Sequence, residues 1–221
     1  MVVLATKCYV DGDARERALD SLASQLRNSI GELDVAVDVG VREDGFPSVT
    51  LDGPDGTAAR NALGEEWGEI TPHLDAGDVA VGTLESWDDD GFVLDAGREI
   101  RIPRDELGLG QGDPDQIRTR FGLVQHLPVQ FVAGETPRLA DAERDRLYDW
   151  TRGTGRVNVN SATRAEVRAT VNRAGHAQDI VTVERLGLLE QSIVCREGTD
   201  PPGLLASIGQ YLPAEILCVV P

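Results

Sequence analysis

Lysine is almost missing from this chain: Lys7 stands alone among 21 basic residues, and all the others are arginine. Long apolar runs are missing too, since none reaches the roughly 18 residues needed to cross a bilayer. The short apolar N-terminus has no basic region ahead of it and reads as a first strand, not a leader, so a soluble cytoplasmic protein without membrane contact is expected. The cysteines, Cys8, Cys195 and Cys218, are odd in number, far apart and set in apolar strand-like runs. That excludes a disulfide framework and suits small buried hydrophobes in a reducing compartment. The histidines, His73, His126 and His176, lack metal-ligand spacing, so no zinc site is expected. There is no Gly-x-Ser-x-Gly elbow, no His-Glu-x-x-His pair and no dinucleotide fingerprint after a strand. The expectation is therefore a non-enzymatic protein with no small-molecule cofactor.

What the chain has is acid. Of its 221 residues, 38 are Asp or Glu, and the net charge is −17. A carboxylate excess with almost no lysine fits a salt-rich cytoplasm such as that of halophilic archaea, where a Debye length of about 3 Å near 1 M salt screens self-repulsion. The bias is uneven. Residues 1–70 and 71–135 are each strongly acidic, whereas 136–221 is nearly balanced by its arginines.

The pattern divides the chain into an N-terminal unit (1–72), a middle unit (73–140), a connecting helix (141–154) and a C-terminal unit (155–221). The first reads βαββα: a strand over Val2–Val10, a helix from a capping-box variant at Asp13 and Glu16 to a stop at Gly31, two strands, and a helix over Thr57–Trp67. The last reads βαββαβ, the ferredoxin-like order, with a helix started by a Thr163/Glu166 capping box and another by Asp200-Pro201. A strand, a Gly/Asp/Pro loop and a helix recur in both, so an internal duplication and a shared way of turning the corner both remain open. The middle unit has short strands with turn signals between them, which suits a small closed barrel. The predicted class is α+β.

Gly77-Asp78-Val79, Gly82-Thr83-Leu84, the run Asp90-Gly91-Phe92-Val93-Leu94-Asp95 and the run Ile102-Pro103-Arg104-Asp105-Glu106-Leu107 make the middle unit resemble an OB-fold of the ribosomal-protein S-one type. The resemblance implies single-stranded RNA binding, with Phe92, Arg101 and Arg104 as contacts. Pro103 stands where many relatives have histidine, and Asp88-Asp89-Asp90 place acid beside the expected face. Through Leu186-Gly187-Leu188-Leu189-Glu190 and the Cys195–Gly209 segment, the whole chain resembles a conserved archaeal family of unknown function. The order of barrel, helix and ferredoxin-like domain is also similar to the alpha subunit of translation initiation factor two, an analogy of fold alone.

Arg152, Arg156, Arg164 and Arg168 complete the candidate RNA contacts, because eight arginines face only five acids between Arg138 and Arg173. Arg164 and Arg168 are four apart and share a helix face. Trp150 either stacks a base or plugs the joint between units. The expected partner is RNA, in an accessory factor of transcription or translation. The alternative is a scaffold that docks a larger information-processing machine, and an RNA-processing enzyme comes third. The charge makes one direct prediction: the melting temperature rises from dilute buffer into molar KCl as screening relieves repulsion. A flat or falling titration contradicts it.

Overall fold

The computed structural model describes residues 1–221 as a mixed α+β chain with three antiparallel sheets. The N-terminal unit contains β1 (Val2–Val3), α1 (Gly12–Ile30), β2 (Ala36–Val41), β3 (Pro47–Asp52) and α2 (Gly56–Trp67). Leu22, Leu26 and Ile30, at helical spacing on α1, are buried against Val49 of β3 and Leu63 of α2. The sheet order is β1-β3-β2. A bridge from Leu4 to Glu69, and a 2.8 Å bond from Ile70 N to Val3 O, add a short fourth segment beside β1.

Two expectations for this unit are corrected. The strand expected over Val2–Val10 is ladder-paired only at Val2–Val3, because the chain from Thr6 to Tyr9 turns its polar groups to the other two units. The Asp13/Glu16 capping box does not form: α1 begins at Gly12 behind Asp11, with no side-chain cap.

The middle unit is a meander of β4 (Val79–Asp88), β5 (Gly91–Asp95) and β6 (Glu99–Pro103), followed by α3 (Pro114–Phe121), β7 (Pro128–Val132) and β8 (Arg138–Leu139). The order β6-β5-β4-β7-β8 curls into a half-barrel, with β6 approaching β8. Gly91, at φ +150°, is required at the β4–β5 turn, since a Cβ there would run into the Ile102 carbonyl. α4 (Asp141–Arg152) is not a free connector, for Leu147 and Trp150 are buried in the barrel core. Trp150 is thus a plug.

The C-terminal unit contains β9 (Arg156–Val159), α5 (Arg164–Arg173), β10 (Ile180–Arg185), β11 (Gln191–Cys195), α6 (Pro201–Gly209) and β12 (Ile216–Val219). Both expected helix starts form: Thr163 and Glu166 cap each other, and Asp200 accepts from Gly203 N with Pro201 in the first turn. The order is β10-β11-β9-β12. Counting the Glu69–Ile70 segment, the N-terminal unit has the same spatial order: second, third, first, last.

The units share their interiors. Leu188 and Leu189, from the β10–β11 turn, are buried in the N-terminal core, and Val219 of β12 is buried in the barrel core. Cys8 and Cys195 are buried and Cys218 half-buried, all three unpaired, and burial pushes each thiol up, Cys195 to about 11. The native protein is therefore expected to react slowly with a thiol reagent at pH 7.5, with all three groups reacting promptly only after unfolding. Rapid labelling of the folded chain contradicts this.

Candidate nucleic-acid interface

A groove runs across the meeting line of the three units, along α2, α4 and the end of β10. One stretch, a cleft of about 600 Å³, lies between α2, β4 and α4. Another, of about 930 Å³, lies between α4, β9 and α5. A small hollow around Arg185 joins them, and Arg146 and Leu186 line all three.

Helix periodicity places Glu143, Arg146 and Trp150 on one side of α4. Glu143 is buried, pairs with Arg146 and accepts from Gln130 N at 3.3 Å. The Trp150 indole has the Arg146 guanidinium 5.0 Å away and that of Arg156 5.3 Å away, both within cation–π range. Arg156 is also paired with Glu184 across β9 and β10. On the other side of the groove the Arg185 guanidinium lies 3.6 Å over the Trp67 ring and is bound to Glu66 at 2.6 Å. Burial lowers the Arg185 pKa; Glu66 works against that, and the nearby positive Arg164 adds to it. Trp67 Nε1 and Arg146 Nε are buried without hydrogen-bond partners, so the walls keep two unused donors.

The predicted residues are divided by the structure. Arg156 and Arg164 line the groove. Arg152 is exposed at the end of α4, 3.7 Å from Asp149, and Arg168 borders a separate pocket one turn along α5. Phe92 is corrected: at 1% exposure it fills the barrel core and offers no face to a base. Arg101 is paired with Asp88, whose oxygens lie 3.0 and 2.8 Å from one guanidinium nitrogen, so one of the three hairpin acids has a cation partner. Arg104 is exposed on the turn after β6, away from the groove lining. Spacing could not reveal Trp67 and Arg185, whose contact joins α2 to β10. Arg146 was legible as part of the arginine run.

Beside the groove, the units are joined by a buried polar cluster that the sequence did not disclose. The Tyr9 hydroxyl donates to Glu190 Oε1 at 2.6 Å and accepts from Ser161 N at 2.9 Å. Its ring lies on His126 of the barrel, centroids 3.9 Å apart. Lys7 reaches Glu85 at 3.0 Å and Asp95 at 2.7 Å. His126 and Ser161 are the two non-glycine residues with positive φ, 67° and 57°, and both touch Tyr9. Left-handed backbone costs on the order of 1–3 kcal/mol per residue and persists only where surroundings enforce it. Gly187 is required here, because a Cβ would meet Glu190 Oε2 and come within 2.9 Å of Pro128 Cδ.

Two carboxylates of this cluster are shifted in opposite directions. Burial opposes the charge of Glu85, yet hydrogen bonds from His126, Thr83 and Lys7 outweigh it and hold the group down to about 2. Complete burial pushes Glu190 up to about 8 against the Tyr9 hydrogen bond, so near neutral pH it is largely a carboxylic acid.

The sequence matches the DUF2110 N-terminal domain over residues 1–73, the DUF2110 central domain over 74–151 and the DUF2110 C-terminal domain over 154–220. No curated protein matches the chain.

The raised Glu190 value sets a pH window. The folded state holds this proton between the ordinary value of 4.5 and about 8, so the associated stability is full below 4.5 and is lost as pH rises through 8. In thermal melts the wild type is expected to lose stability from pH 5 to 8.5, and Glu190→Gln, which keeps the acceptor for Tyr9, is expected to flatten that dependence. A wild-type melting temperature constant over that range overturns the assignment.

Proposed function

The chain belongs to the DUF2110 family, all three of whose domains it carries in order, and we propose that it is a non-enzymatic RNA-binding accessory factor of the transcription or translation machinery. In this reading the half-barrel is an OB-type module of the S-one kind, a view supported by its strand order with a helix between the third and fourth strands. The two outer units are then both ferredoxin-like, and their common strand order favours a duplication.

The observation that carries the reading is the groove's set of Arg146, Arg156, Arg164 and Arg185, of which Arg185 lies close over the buried Trp67 and Arg146 and Arg156 lie within cation–π range of the buried Trp150. A guanidinium close over a tryptophan, as Arg185 is over Trp67, is held in place and has its other face for a base, with edge N–H groups left for phosphate. Charge alone would be a weak attractant in concentrated salt, where binding to a single strand falls with a slope of about −0.7 per phosphate contact. Stacking and bidentate contacts lose less, which suits arginine better than lysine. The scaffold reading draws support from the barrel face, where Phe92 is buried and Arg101 is held by Asp88. We place RNA in the groove, not on that face.

The test must spare Arg146, since its removal would strand the buried Glu143 at a cost of about 3–5 kcal/mol. In Arg156→Gln/Arg164→Glu, oligouridylate affinity should fall at least tenfold. The slope of log affinity against log KCl should become shallower by about 1.4, two contacts' worth. Wild-type affinity and slope in a folded double variant reject the groove.

A further inference from the structure

One turn along α5 from Arg164, a pocket of about 280 Å³ opens between α5, the edge strand β10 and the end of β11. Arg168, Arg196 and Asn172 border it together with the backbone around Val181, and no carboxylate does. In a chain with 38 acids and 21 bases that is unusual. Most arginines near the groove share one guanidinium nitrogen with a carboxylate, as Arg156 does with Glu184 and Arg185 with Glu66. Arg168 and Arg196 have no ion-pair partner. Of the acids nearby in sequence, Asp179 is bound to His176 Nδ1 at 2.6 Å, Glu166 is paired with Arg17 at 2.8 Å, and Glu197 does not line the pocket.

The pocket is built by a defect in the edge strand. Ile180 pairs with Cys195 and Thr182 with Val194, so Val181 is an extra residue without a partner. A bulge of this kind bends an edge strand and re-aims its side chains. Here it leaves Val181 62% exposed at the rim. Arg196 Nε donates to the Ile180 carbonyl at 3.0 Å, which fixes the guanidinium plane and leaves its two terminal nitrogens unengaged by the protein.

We propose that this pocket binds a phosphate oxyanion. Two planar cations and an amide supply donors suited to a tetrahedral dianion, and charge-assisted bonds of this type are the strong ones. The phosphate comes either from the backbone of a single strand that continues past the groove or from a free phosphoester. The site does not depend on the groove holding RNA.

Inorganic phosphate, added to the full-length protein at constant ionic strength in KCl, should shift the backbone amides of residues 180–183 saturably. Arg168→Gln, which removes an exposed side chain without a protein partner, should weaken that binding at least tenfold, and Arg196→Gln should do the same. A shift that stays linear with concentration overturns the proposal, as does wild-type saturation in folded Arg168→Gln. Oligouridylate is the second arm. If it moves the same amides at lower concentration than inorganic phosphate, the source is a strand backbone. If only inorganic phosphate moves them, the site serves a free phosphoester, and the groove is judged separately by Arg156→Gln/Arg164→Glu.

Discussion

The five-residue turn from Leu186 to Glu190 holds the three units together. Leu186 packs on the barrel core, Leu188 and Leu189 are buried in the N-terminal core, and Glu190 takes the Tyr9 hydroxyl. Leu188 N donates to Thr6 Oγ1 at 2.7 Å, so the turn is bound by backbone as well as side chain. Each buried leucine contributes about 1.5–3 kcal/mol. A neutral acid suits this position because an ionised carboxylate, fully buried with one oxygen unpartnered, would be expensive. The groove exists because this wedge draws α2, α4 and β10 together.

The electrostatics follow from the shortage of bases relative to acids. With carboxylates outnumbering bases, most arginines are drawn into ion pairs, including Arg17 with Glu166 and Arg185 with Glu66, which join the N-terminal and C-terminal units. Cations that escape pairing therefore carry information. Arg164 stands beside Arg185 at the groove, and Arg168 and Arg196 stand at the bulged edge. The near balance of charge in the last third of the chain reflects both uses: arginines that tie units together and arginines left facing solvent.

Local signals were the legible ones. The helix starts at Thr163 and Asp200 could be read from spacing because each involves residues within one turn. The same logic failed at Asp13, where the helix starts earlier without a cap. The fourth segment of the N-terminal unit was invisible, since Glu69 and Ile70 are too short a run to signal a strand. Phe92 was assigned by resemblance to a surface, but the fold turns it into the core. Tyr9, His126, Ser161 and Glu190 form one cluster across gaps of up to 181 residues, and no periodicity encodes that. The Leu186–Glu190 run did carry the family resemblance, although its role as a wedge became visible only with the partners in place.

If the wedge fuses three units into one body, unfolding is a single event. Differential scanning calorimetry at pH 5 in molar KCl tests this most directly. The account predicts one transition whose calorimetric and van't Hoff enthalpies agree. Two or three separable transitions would show units that melt on their own and would contradict it.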